Sequence, residues 1–590
     1  MPLPFRLSAV LVNAIGISLI GAAAMLSAQT LSSQSRQEVR AKSLYAQGMS
    51  ALQSGNLPEA RTDFEKLVAI APRSPDAHNS LGWVLLEQNE VDSAIVQFHS
   101  AIQIKPDFPQ AHLNLANALA KHGDYAKAEA EARESVRLAP KDSETHRTLG
   151  RVLSFRGDVR PAISELQVAI ELEPQRADLH DELGSLLAQV SKTDEAAAHF
   201  SEALRLQPDF FAAELHLGVV RLQQKMLPQA HELLAKASQG VPEDAQAHYY
   251  FGLVLKDEGR PEEAIEELEK ATNLQPDFAD AQGTLGPLLQ RRGDAEGAVA
   301  AFRSVARIRP RDADAHNNLG LALIQSGDAA GSIPEFESAI RIRPDDGSYV
   351  ENLGTAYLQK ADFDSAITQF QRALKIEPND ATAHYDLGLA LKLKDRLADA
   401  LVEFRKAAEL DPRQPDIHYT LGVTLWQKGA FGEAEKELRA ATEAKPDYAE
   451  AYYTLGTVLR QDEKPDEAAA ALRKAIAIDP GLVGAHTTLA AVLRQTGDTA
   501  AAAAESQRAQ ELFKQSNNLQ AATFNTNSGN RLLQAGDLDG AIEQFRSAIN
   551  LVPNYAPAHQ HLAEALQRKG KKTEAEEEFR KAAELAHTTP

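Results

Sequence analysis

The sequence predicts an all-α solenoid built from about sixteen helical hairpins of 34 residues each, and three observations predict it. Proline recurs at a fixed interval of 34 residues, at Pro72, Pro106, Pro140, Pro174, Pro208, Pro242, Pro276, Pro310, Pro344, Pro378, Pro412, Pro446 and Pro480. A small residue keeps the same register, at Gly48, Gly82, Ala116, Gly150, Gly184, Gly218 and onward. A second apolar stripe, such as Ala366, Phe370 and Ala373, follows each small residue with spacings of four and three. A fixed period of that length marks a repeat array, in which one unit cannot bury its own apolar face and is stabilised by stacking on copies of itself. Function then rests on a long repeated surface.

Each element follows in order when units are counted from Ala41. Leu at seven, a small residue at eight and Leu at eleven, as in Leu81, Gly82 and Leu85, share one helical face, and the small residue marks a close helix crossing. A turn residue comes next, often Gly as at Gly55, Gly123 and Gly429, suited to the left-handed residue that ends a helix. The second stripe, read as Ala94, Phe98 and Ala101 in another unit, again demands a helix. Proline at position 32 then stops that helix, through its missing N–H and its restriction of the preceding residue. The register holds through fourteen units over 41–516. There Lys514 replaces the proline, residues 517–521 are added, and two further units follow over 522–590. The insertion is compatible with a hinge or with a lengthened helix.

Small at eight, Ala at twenty, Phe or Leu at twenty-four, Ala at twenty-seven and Pro at thirty-two together resemble the tetratricopeptide repeat (TPR), over roughly residues 41–589. The resemblance implies a right-handed α-solenoid, a superhelix whose first helices line a concave groove. Two departures are systematic: the family's Trp at position four is usually His here, and its Tyr at eleven is usually Leu.

Ten histidines occupy that fourth position: His78, His112, His146, His180, His248, His316, His384, His418, His486 and His559. A metal-binding stripe is one reading. Equivalent residues on stacked helices lie roughly 8–10 Å apart, whereas zinc holds imidazole nitrogens at about 2.0–2.1 Å, so neighbouring rings cannot share an ion. The expectation is packing between helices, with the nitrogens bonded or wet at the edge, and no metal site.

Residues 1–28 read as an export signal: Arg6 and the amino terminus supply positive charge, residues 7–26 are apolar and uncharged, and small residues lead to Ala24 and Ala28. An uncleaved membrane anchor is the alternative. Residues 29–40, rich in Ser and Gln, read as a polar tether. The expected location is therefore periplasmic or secreted, without stable membrane insertion once the signal is cleaved. The chain has no cysteine, which excludes disulfides, thiol catalysis and lipidation at cysteine. A net charge of −21 repels phosphate backbones, so nucleic acid is not an expected partner. No phosphate loop, His-Glu-x-x-His or Gly-x-Ser-x-Gly motif occurs, and neither an enzyme nor a cofactor is expected.

What remains is the groove. The TPR resemblance places positions two, five, six, nine and twelve of each first helix on its concave side. Early in the chain these are Asn114 and Asn117 beside Arg147 and Arg151, midway Asn317, Asn318 and Asn352, and late Tyr385, Tyr419, Trp426 and Tyr453 with Lys392 and Arg460. Asn offers both donor and acceptor to a peptide group, Arg a fork for a carboxylate, and aromatics with Arg are common interface anchors. For each Tyr, packing against the next repeat is an equal reading, whereas Trp426 is expected to be dispensable for packing. The function expected is an exported scaffold that binds a protein or extended peptide in the groove; the alternative is an envelope component contacting a polysaccharide.

Overall fold

The structure, a computed structural model, describes residues 33–586, which form thirty-one helices and no strand. The expected export signal lies outside the described residues. The expected tether does so only in part, because helix Ser33–Gln53 begins inside it. The described residues divide into two compact units, with the boundary between residues 285 and 286.

Both units are built from one hairpin. Ala381–Leu393 spans positions one to thirteen and Leu397–Leu410 positions seventeen to thirty. The residue at position fifteen is left-handed in every hairpin: ten are Gly, such as Gly429 at φ 76°, and six are not, among them Ala361 at 59° and Glu463 at 57°. Asp or Asn next in sequence often caps the second helix, as Asp362 does by accepting from the Ser365 N–H. First helices are capped likewise, with Asp380 accepting from Thr382 and Ala383.

The core of each hairpin is a fit between positions eight and twenty-four. In the first unit Phe64, Phe98, Phe200, Leu166, Leu234 and Leu268 are buried there, and in the second Phe336, Phe370, Phe404, Leu438, Leu472 and Phe545. Each lies against a glycine. A Cβ added to Gly388 would meet Phe404 Cε1 at 2.5 Å, and one on Gly184 would meet Phe200 Cε1 at 2.7 Å. At two of the three hairpins with Ala at position eight the sequence compensates, with Ala116 opposite Ala132 and Ala490 opposite Ser506. Ala563 faces Phe579, and that ring is 36% exposed while Phe545 in the preceding hairpin is fully buried.

The position-four histidines link helices. His248 Nδ1 lies 2.6 Å from Glu267 Oε2, and its Nε2 lies 3.1 Å from the Pro242 carbonyl. The pattern recurs at His112, His146, His316, His384, His418, His486 and His559, each between a Glu nineteen residues on and the carbonyl of the proline six residues back. His78 faces Gln97 and His180 faces His199 instead. The recurrent proline therefore stops one helix and offers its carbonyl to the next hairpin.

Carboxylate and carbonyl are both acceptors, so a ring that donates to both is an imidazolium. At His248 and His418 the carboxylate bond outweighs burial and raises the pKa. At His112 burial pulls downward, but Glu131 and the Pro106 carbonyl together prevail. A pKa raised on folding contributes stability that is fully present below the unfolded value of about 6.5 and is lost as pH rises through the folded value. His216, raised by Asp181 against strong burial, adds to this, and His199, lowered by burial and by His180, opposes it. Melting temperature is accordingly expected to fall over the range from about pH 6.5 upward, through His112, His248, His418 and His216. Glu267→Gln with Glu437→Gln should flatten the slope, and a melting temperature that rises over this range would contradict the assignment.

The insertion at 517–521 is a lengthened helix: Thr499–Gln534 runs unbroken for 36 residues. Without proline at 514 nothing stops the second helix of the fourteenth hairpin, which continues as the first helix of the fifteenth. Its surface also departs from that of the other hairpins. Ser506 stands at position twenty-four and Gln510 at twenty-eight, where other hairpins carry Phe370 and Leu374.

Candidate functional site

First helices of consecutive hairpins lie side by side and are joined by a repeated bond between position five of one and position six of the next. In the first unit Asn114 Nδ2 donates to Asn79 Oδ1 at 3.0 Å, Arg147 Nη2 to Glu182 Oε1 at 2.6 Å, and His216 Nδ1 meets Asp181 Oδ1 at 2.8 Å. In the second, Asn352 Nδ2 donates to Asn317 Oδ1 at 2.8 Å, and Tyr385 Oη meets Thr420 Oγ1 at 3.1 Å. A parallel row joins position twelve to thirteen: Gln290 Nε2 to Gln325 Oε1 at 3.0 Å and Trp426 Nε1 to Gln461 Oε1 at 2.6 Å. The result is a ladder of polar rungs along the first helices of each unit.

The ladder changes the reading of several sequence candidates. Arg147 is buried and tied to Glu182, Glu144 and Asp178, the last two shared with Arg176, so it is not an open fork for a ligand carboxylate. Burial opposes its charge, but these carboxylates raise its pKa, and Arg176 with Arg147 lowers that of Asp178 against burial. Asn114 is also buried, and its Oδ1 accepts from Gln110 Nε2 at 3.1 Å. Asn117 and Arg151 lie half-buried on the same face.

In the second unit Asn318 is exposed and Asn317 and Asn352 are half-buried. Their mutual bond uses one N–H of Asn352 and one lone pair of Asn317, so each amide keeps hydrogen-bonding capacity for a ligand. The aromatics are turned to packing. Tyr385 tilts on Phe404 at 5.8 Å between centroids, Tyr419 on Tyr448 at 5.1 Å, and Tyr453 covers the backbone of Gly484. Trp426 packs against the buried core as well, which corrects the expectation that it is dispensable for packing. Arg460 and Lys392 are half-buried, and burial lowers the pKa of Lys392.

One rung is mismatched. Glu351 at position five and Asp386 at position six of the next hairpin are both carboxylates. Burial, then Asp380 and Asp386, push Glu351 up to about 7, and burial with Asp380 pushes Asp386 up to about 6. This rung has acceptors and a reluctant negative charge, and a basic side chain would complete it.

Sequence reasoning did not find Asn79, Asp181, Glu182, His216, Glu351, Asp386 or Gln461. Their signal is polar residues 35 apart, visible only when position five of one unit is read against position six of the next, or, for Gln461, twelve against thirteen.

Models of the tetratricopeptide repeat match residues 45–107, 147–209, 284–347 and 419–483, residues 85–149 and 187–250, and residues 245–278 and 556–588. A further TPR repeat model matches 354–395, 391–429 and 529–570. The chain belongs to the tetratricopeptide repeat family. Among solved structures it is similar to MamA, with 28% identity over 27% of this chain and 94% of that one, at a TM-score of 0.27. It is also similar to YrrB, described as a TPR protein with an unusual peptide-binding site, with 23% identity over 32% of this chain and 96% of that one, at a TM-score of 0.28. A third is yeast Tom70, with 17% identity over 78% of this chain and 97% of that one, at a TM-score of 0.33. No curated protein matches the chain in sequence.

Proposed function

We propose that this TPR scaffold is exported and holds an extended peptide, or an extended segment of a protein partner, along the polar ladder of its first helices. The ladder carries the reading. Rungs on stacked helices recur roughly every 8–10 Å, and an extended chain advances about 3.3–3.6 Å per residue. One rung therefore meets the backbone every third residue, where an Asn amide can both donate and accept. Next to the Asn317–Asn352 rung, the Glu351–Asp386 rung favours a ligand that places Lys or Arg there. The Tyr385, Tyr419 and Tyr453 rings are half-buried by packing, which favours the peptide reading over stacking on a polysaccharide. Export rests on the charged start, apolar stretch and small-residue exit of residues 1–28.

Capture from an envelope extract tests the reading. The chain is expected to retain a protein, and Asn318→Ala with Asn352→Ala should weaken retention by about 1–2 kcal/mol. Because Asn318 is exposed, its substitution alone should change stability by less than about 0.5 kcal/mol. Recovery of glycan without protein would overturn the proposal. N-terminal sequencing of the exported form should begin near Met25 or Gln29.

A further inference from the structure

Helix Thr499–Gln534 carries a stripe that no hairpin covers. Gln510, Phe513, Asn517, Gln520, Phe524 and Asn527 follow one another at spacings of three, four, three, four and three, and all six are exposed. Phe513 and Phe524 are 58% and 68% exposed, among the most exposed large apolar residues described. Ala502, Ala509, Ala522, Thr526, Gly529 and Leu533 are buried on the same helix, so its packing within the hairpins uses other positions.

Alternation of three and four is the seam of a helix pair, in which the same face meets a partner helix every 3.5 residues. The stripe is also symmetric about the point midway between residues 518 and 519. Reversed end to end, it places Gln510 opposite Asn527, Phe513 opposite Phe524, and Asn517 opposite Gln520. Amide meets amide and phenyl meets phenyl at every level. Self-complementarity under reversal is what a two-fold interface between identical chains requires.

We infer that this stripe is a homodimer interface, in which the helices Thr499–Gln534 of two copies pair antiparallel about a two-fold axis at 518–519. The two Phe513–Phe524 levels supply apolar burial with edge or offset ring contacts, and the amide levels fix the register as buried polar seam residues do. The flanking Ser516 and Ala521 are small and allow close approach, while Thr523 is bonded to the Tyr555 hydroxyl at 3.2 Å. The lone flanking charge near the axis, Lys514, meets none of its own sign across it. The seam is short, so the interface falls in the small class below about 1,200 Å², which implies a concentration-dependent dimer. This inference is independent of the peptide reading above.

Sedimentation equilibrium of the full chain should show monomer and dimer exchanging with concentration. Phe513→Glu with Phe524→Glu should raise the dimer dissociation constant at least ~100-fold, with helix content unchanged and, at concentrations where the chain is monomeric, melting temperature unchanged because both rings are exposed there. Register is read by crosslinking, which has no background because the chain lacks cysteine. Gln510→Cys and Asn527→Cys, prepared separately, should form a disulfide when mixed and not when oxidised alone, since like positions would lie about 25 Å apart along the seam. A monomer at all concentrations, a dimer that survives the double Glu substitution, or crosslinking of each variant with itself would each overturn the inference.

Discussion

Gly388→Ala is expected to destabilise its hairpin by about 1–3 kcal/mol, Phe404→Ala by about 3–5 kcal/mol, and the two together by less than their sum. The added methyl would sit 2.5 Å from a ring carbon that is fully buried and has no room to retreat. Removing the ring makes space for the methyl, so the coupling should be about 0.5–3 kcal/mol and favourable. The chain contains the compensated state, with Ala116 opposite Ala132. Trp426 packs on the same core cluster as Phe404, so in a Trp83→Phe background its fluorescence during urea unfolding reports the local loss. Additive costs would show that the two positions do not touch energetically.

Lys514→Pro is expected to break the long helix and cost about 3 kcal/mol or more there. In the nine-residue stretch 513–521 that joins the hairpins, proline would remove the bond from residue 514 to the Gln510 carbonyl and press its ring against that oxygen. Elsewhere the same residue is harmless because the helix has already ended: Phe363–Ile376 closes two residues before Pro378. Hydrogen exchange should then speed up across 512–521 while Phe431–Ala444 keeps its protection. Unchanged protection across 512–521 would mean that the segment is not held as a helix by its own backbone.

The hairpins were legible because each of their determinants recurs within one unit. Period, glycine turn, proline stop and the Phe or Leu stripe all repeat at fixed positions, and the structure places them as read. The histidines were legible as packing residues but not as clamps, since Glu267 and the Pro242 carbonyl come to His248 from two other elements. The ladder was less legible still. Arg147 and Trp426 read as groove anchors when taken alone, and only their partners Glu182 and Gln461, 35 residues away, show them spent on neighbouring hairpins. At 517–521 the slipped register was plain, but hinge and long helix share it. The structure distinguishes the two: Thr499–Gln534 is one helix, with no proline at 514 to stop it.

The fit between positions eight and twenty-four lies wholly inside one hairpin, whereas the rungs from position five to position six cross from one hairpin to the next. Duplication or loss of a whole 34-residue unit therefore carries each core pair along intact and disturbs only the seams. A recombination breakpoint inside a unit does the opposite, joining a glycine to the wrong partner and threatening the fold. The chain can thus lengthen and shuffle in unit steps at little cost to stability while every step rewrites a rung. Heredity acting on such a gene changes what the ladder holds more readily than it changes whether the ladder stands.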